Sequence, residues 1–181
     1  NAVLDGTDAV MLSAETATGA HPVEAVAAMA RIALRAEGHA VRRNIWRLEH
    51  TRHEHTAHAL PTDSITLAAV NIAREIGARA VVCATRSGQT SRMVARNRPA
   101  APILSLTTTQ RALDYAAFLW GVRAVTEPSV LQNTDLLFDA SERIVKELGL
   151  AAAGDSIVIV AGVPLGAGAG TTNMIKVEIV R

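Results

Sequence analysis

The sequence predicts an α/β fold, with an open, mostly parallel five-stranded sheet, helices on both faces and an antiparallel last strand. Three observations lead there. Beyond Pro61, apolar runs of strand length alternate with stretches whose apolar residues recur at helical spacing. The connections are short, so consecutive elements are neighbours in space. The last two apolar runs have no helical stretch between them, so the final strand returns antiparallel to its neighbour.

The elements follow in order. Asp5-Gly6-Thr7 is a turn signal, and Asp8 to Leu12 is an apolar run of strand length. Pro22 opens a helix, where its missing N–H costs nothing. Val26, Met29, Ala30 and Ala33 follow at helical spacing, with Gly38 as the expected stop. Residues 39–61 are rich in Arg and His and end at Pro61; they read as a short helix near Val41–Glu49 and a linker. Thr62 or Asp63 then caps a helix whose apolar face is Ile65, Ala68, Ala69, Ile72 and Ile76, closed by Gly77. Ala80–Ala84 is a buried strand, followed by a polar loop and a short helix to Asn97. Ile103–Leu106 is a second strand. The Thr107-Thr108-Thr109 run caps a helix over Gln110–Leu119, and Val122–Val125 is a third strand. Asn133 or Thr134 caps a helix to Leu148, ended by Gly149. Ser156–Val160 is the fourth strand. In the fifth, Met174–Val180, Ile175, Val177 and Ile179 alternate inward against Lys176 and Glu178 outward.

Composition excludes several classes of function. At 49% hydrophobic and 19% charged over 181 residues, the chain supports a real core. A net charge of +1 and 3% aromatics give neither the field nor the stacking platform for nucleic acid. No apolar run is long enough to span a membrane, and no secretion signal is visible. One cysteine, Cys83, excludes an internal disulfide and fits a reducing compartment such as the cytoplasm. The first residue is Asn1, not Met, which reads as a piece of a longer chain.

The most informative loop is Thr85-Arg86-Ser87-Gly88-Gln89-Thr90-Ser91, which follows a buried strand and opens a helix. Hydroxyls, a glycine and backbone amides at a helix N-terminus suit an anion. No acid occurs between Glu75 and Asp114, whereas Arg79, Arg86, Arg92, Arg96, Arg98 and Arg111 all fall there. A phosphate is the natural guest; an ordinary capped turn with a solvated basic helix is the other reading. Walker spacing is absent. The glycine-rich loop Gly162 to Thr172 precedes a strand, so it is no dinucleotide fingerprint. It reads either as a flexible connection or as a flap whose backbone approaches a ligand. His50, His53, His55 and His58 crowd one stretch, but their spacing is not that of a zinc helix, and no metal is expected. Cys83 in an apolar strand reads as a buried, inert thiol. A hydrolase or transferase built on Ser87 or Cys83 lacks a partner base in any recognisable motif.

The opening run Asn1-Ala-Val-Leu-Asp-Gly-Thr-Asp-Ala-Val-Met-Leu-Ser-Ala-Glu-Thr-Ala-Thr-Gly19 resembles the pyruvate kinase family, as do His21-Pro-Val-Glu-Ala-Val26 and Met29-Ala-Arg-Ile32. Further on, Thr85-Arg-Ser-Gly-Gln-Thr90, Val94-Ala-Arg-Asn-Arg-Pro99, Pro102-Ile103 and Gly170-Thr-Thr-Asn173 match the same family's C-terminal domain. The resemblance covers essentially the whole chain. It implies that residues 1–38 are a remnant of a (β/α)8 barrel (the end of helix seven, strand eight and helix eight). Residues 39–61 are then a helix and linker, and 62–181 the C-terminal α/β domain. It also implies an enzyme of glycolysis that transfers phosphoryl from phosphoenolpyruvate to ADP, with Mg²⁺ and K⁺ for the full-length protein and none bound by this piece. The catalytic carboxylates and clamps lie in earlier barrel strands, so no catalytic residue is carried over. Ser13 and Glu15 lie at the active-site periphery, and Ala14 stands where many relatives have glycine.

By the same resemblance, Thr85, Arg86, Ser87, Gly88, Gln89 and Thr90 hold an effector phosphate. Gly168, Gly170 and Thr172 belong to the flap that closes over it. The expected partners are a sugar monophosphate or nucleoside monophosphate effector, and copies of the chain in a homotetramer through the C-terminal domain. A second phosphate has no cation to meet it: Thr134-Asp-Leu-Leu-Phe-Asp139 carries none, and Leu137 aligns with an arginine of relatives that bind a bisphosphate. The alternative is a stand-alone phosphate-binding module of the same fold.

Overall fold

A computed structural model of the chain describes residues 1–43, 61–166 and 171–181. The chain divides into two units, Asn1–Glu54 and His55–Arg181.

In the first unit, a turn over Asn1–Thr7 leads to a one-turn helix α1, Ala14–Ala17, and a long helix α2, Pro22–Arg43. Pro22 is the first residue of α2, as its missing N–H predicts. The expected stop at Gly38 is not there, because α2 runs on through it to Arg43. A lone glycine costs a helix only about 1 kcal/mol, too little to end a long one. Nor do Asp8 to Leu12 form a strand. The first unit's described residues offer no neighbouring strand to take up the backbone N–H and C=O groups, and Met11 stands 87% exposed. The helix expected near Val41–Glu49 begins inside α2; its remainder, the linker and His50, His53, His55 and His58 lie outside the described residues.

The second unit is the α/β sheet. Its elements are α3 (Pro61–Glu75), β1 (Ala80–Thr85), α4 (Gln89–Arg96), β2 (Ile103–Thr107) and α5 (Gln110–Ala116). They continue with β3 (Val122–Thr126), a 3-10 turn at Pro128–Leu131, α6 (Thr134–Glu147), β4 (Ser156–Ala161) and β5 (Met174–Ile179). The strand order is β3-β2-β1-β4-β5, parallel except for the last pair. The three inner strands have no polar face to offer water, so β1, β2 and β4 read as near-continuous apolar runs. Alternate residues feed two cores. Val81, Cys83, Ile103, Val158 and Val160 meet Ala69, Val70 and Ala73 of α3 and Val94 of α4. Val82, Leu104, Leu106, Ile157 and Ile159 meet Leu137, Ala140, Ile144 and Val145 of α6. Thr109 and Asn133 cap their helices through side-chain oxygens, as their positions predict.

Two faces differ from the sequence expectation. Thr62 and Asp63 do not cap α3; they lie in its first turn, and the buried stripe is Thr62, Thr66, Ala69, Val70 and Ala73. Thr66 can be buried because its hydroxyl donates to the Thr62 carbonyl at 2.8 Å, while Ile76 is left 42% exposed. In β5 the expected alternation is reversed at its end. Glu178 is buried, whereas Val177 and Ile179 are about half exposed. Lys176 pairs with Glu178 and lies over the Phe138 ring of α6 at 4.0 Å, so the charged pair sits on the helix-covered face. Ile175 alone of the three apolar residues packs on the α3 side.

Leu137 is fully buried in the α6 core. Leu137→Ala is expected to cost about 2–5 kcal/mol. Leu67→Ala, on the exposed face of α3, should stay within about 0.5 kcal/mol. Urea unfolding of the full-length protein, followed by a probe in this unit, separates the two.

Candidate functional site

From β1 the chain steps outward through α4 to β2 and on to β3. It then returns through α6 to β4 on the other side of β1. Right-handed crossovers in opposite directions put α4 and α6 on opposite faces of the sheet. The strand order reverses between β1 and β4, whose carboxyl ends lie side by side at one edge of the sheet. The β1–β4 register pairs Cys83 with Val160, which carried forward sets Thr85 beside Gly162. The two loops singled out by sequence therefore meet at one point of the fold.

Thr85 is the last residue of β1 and is buried. Its hydroxyl accepts the Gly88 N–H at 3.0 Å, which folds Arg86, Ser87 and Gly88 into a tight bend. Gly88 is the N-cap of α4 at φ +84°, a left-handed conformation that favours glycine. A Cβ there would also stand 2.8 Å from Cδ1 of Tyr115. Having no side chain, Gly88 caps no first-turn N–H; Gln89 N–H meets only the Ser87 hydroxyl, at 3.4 Å. Thr109 Oγ1 donates to the Arg86 carbonyl at 3.0 Å and ties the bend to the start of α5. Arg86 and Ser87 are exposed, whereas Gly88 and Thr90 are buried.

Beneath the first turn of α4, Ser91 donates to Ser105 at 2.7 Å. Cys83 lies within hydrogen-bonding reach of Ser91. Burial pushes its thiol up to about 12, and the Ser91 bond only partly offsets that. The thiol therefore stays protonated and inert, which leaves no basis for a nucleophilic role.

The chain entering β5 is tied to the loop after β1. Thr90 and Thr172 share a hydrogen bond between hydroxyls at 2.9 Å. Asn173 grips Val163 at both ends, accepting its N–H at 2.8 Å and donating to its carbonyl at 2.7 Å. Gly162 lets the two limbs close up, since a Cβ there would lie 2.7 Å from the Thr171 hydroxyl. Gly168 and Gly170 lie outside the described residues.

The sequence did not point to Tyr115, Thr109, Ser105 or Asn173 as supports. Asn173 carried a signal as the end of the Gly170–Asn173 motif, and Thr109 only as a helix cap. The basic helix is less open than its spacing suggested. Arg96 is paired with Asp63 at 3.1 Å, Arg79 lies 3.8 Å from Asp155, and Arg98 stacks on Trp120 at 4.9 Å. Arg86, Arg92 and Arg111 are exposed.

In the first unit, Ser13 is the N-cap of α1 and its N–H donates to Glu15 at 3.1 Å. Backbone N–H groups, its own first and then that of Ser13, hold the Glu15 carboxyl below its ordinary value. Among the described residues, no group of three or more His, Cys, Asp or Glu is placed to hold a metal. No helix there is long and apolar enough to cross a membrane.

Gly88→Ala meets two penalties, the left-handed backbone and the Tyr115 ring. A loss of about 2 kcal/mol of unfolding stability is expected. In a Tyr115→Ala background the same change should cost only the backbone share, about 1 kcal/mol. Equal costs in both backgrounds would show that the ring contact contributes nothing.

Known proteins match two parts of the chain. Residues 63–178 match the family model for the pyruvate kinase alpha/beta domain, and residues 1–26 match that for its barrel domain. A pyruvate kinase of Lactobacillus delbrueckii subsp. bulgaricus is 42% identical over 99% of this chain, and one of Geobacillus stearothermophilus is 41% identical over 99%. The crystal structure of Cryptosporidium parvum pyruvate kinase superposes with a TM-score of 0.84 at 26% identity, covering all of this chain. The chain spans about a third of these relatives: 30% of both bacterial proteins and 34% of the solved chain.

Proposed function

The chain belongs to the pyruvate kinase family, and on that basis we propose that it is the effector-binding part of an enzyme transferring phosphoryl from phosphoenolpyruvate to ADP. The observation that carries the effector role is the bend at Gly88. It presents a helix N-terminus without a side-chain cap at the switch point of the sheet, inside a stretch with no carboxylate from Glu75 to Asp114. The first-turn N–H groups, the Ser87 hydroxyl and the helix dipole favour a dianionic phosphate there. Arg86 and Arg92 add exposed positive charge.

One phosphate suits this site better than two. The stretch Thr134–Asp139 offers no cation, Leu137 is committed to the core, and Asp135 and Asp139 are exposed carboxylates. A second phosphate placed there would be an unpaired, partly desolvated charge. The effector is therefore a sugar monophosphate or a nucleoside monophosphate.

The chain alone does not turn over substrate, because phosphoryl transfer needs metal-bound carboxylates and cationic clamps. The Mg²⁺ and K⁺ of the full-length enzyme are, in this reading, held by the rest of the barrel. In this reading the parent protein is a cytoplasmic homotetramer of glycolysis joined through the α/β domain, where the half-exposed Val177 and Ile179 of the edge strand support a packing surface.

Calorimetry on the full-length protein tests the site. AMP or glucose 6-phosphate should bind more tightly than fructose 1,6-bisphosphate. Ser87→Glu is the suitable variant, since Ser87 is exposed and Thr90 is buried. The carboxylate should cost about 2–4 kcal/mol of monophosphate binding through like-charge repulsion. Tighter binding of the bisphosphate would overturn the single-phosphate reading. Unchanged affinity in Ser87→Glu would remove the site from this loop.

A further inference from the structure

We infer that Thr172 is a positioning residue for the effector phosphate, acting through Thr90; this rests on the effector reading above. Thr90 and Thr172 lie 82 positions apart, yet their hydroxyl oxygens are 2.9 Å from each other and either can be the donor. Both residues are buried, at 6% and 4% exposure.

A hydroxyl carries one hydrogen and two lone pairs. Only one hydrogen can lie between the two oxygens. If Thr90 donates to Thr172, it has none left for an anion. If Thr172 donates, the Thr90 hydrogen is released toward a phosphate oxygen. An anion at the loop therefore selects one direction, Thr172 to Thr90 to phosphate, and a chain of hydroxyls ending on a charge is polarised in that sense.

Thr172 is held well enough to impose this. Its neighbour Thr171 packs against the bare Cα of Gly162, and its other neighbour, Asn173, grips the Val163 backbone at both ends. Without the Thr172 hydroxyl, Thr90 loses the donor that commits its own hydrogen to the anion, and its hydroxyl is no longer fixed in that direction.

The test is calorimetry of the full-length protein with AMP and with glucose 6-phosphate, beside its melting temperature without ligand. Thr172→Val should weaken whichever probe the wild type binds by about tenfold. Thr172→Ser, which keeps the hydroxyl, should bind within about twofold. Thr90→Val should weaken binding, and adding Thr172→Val to it should weaken it no further, because both changes break one chain. Wild-type affinity in Thr172→Val overturns the inference. So do equal losses in the Val and Ser variants, which mark a packing role, and independent losses in the double variant. If the wild type binds neither probe, the effector reading itself fails and the inference falls with it.

Discussion

The parallel pairing of β1 with β4 is the constraint on which the rest of the α/β unit depends. It joins two halves of the sheet whose crossovers run in opposite directions, β1 to β3 one way and β3 to β4 the other. That reversal sends α4 and α6 to opposite faces. The loop after β1 and the loop after β4 must then share one edge of the sheet. Thr85 beside Gly162 and Thr90 against Thr172 are consequences of this pairing. So is the strictness of the inner strands, where Val81, Val82, Val158 and Ile159 are all fully buried because helices cover both faces.

The strand–helix alternation was legible because each inner strand is a short apolar run and each helix has a cap or a glycine stop. Asn133, Thr109, Gly77 and Gly149 do what their chemistry predicts. Failures came where a face is decided by a distant partner. In β5, alternation alone assigned Lys176 and Glu178 to solvent, but α6 covers that face, where the two charges pair and Lys176 lies over Phe138. In α3, the stripe turns toward Thr62 and Thr66 because threonine can satisfy its hydroxyl within the helix, which a count of apolar residues cannot register. Among the described residues of the first unit, Asp8 to Leu12 has strand composition without a strand to pair with. Composition proposes a strand, and only a ladder makes one.

The site shows the same split between local and distant information. The bend from Thr85 to Gln89 was readable, because a glycine after a buried strand and before a helix has few alternatives. Its supports were not. Tyr115 beside Gly88, Thr109 on the Arg86 carbonyl and Ser105 under Ser91 each join residues from separate elements. The local charge excess was overread for the same reason. Arg96, Arg79 and Arg98 are engaged with Asp63, Asp155 and Trp120, so the proposed anion site rests on backbone donors and few arginines.

The central claim is that the backbone donors of the first turn of α4 are what a phosphate monoester recognises. Amide hydrogen exchange of the full-length protein, with and without a saturating monophosphate, reads those donors directly. Bound ligand should slow exchange at Gln89, Thr90 and Ser91, whose N–H groups gain an acceptor. If the ligand binds while exchange at these three amides stays unchanged, the phosphate lies elsewhere and the account of the site is wrong.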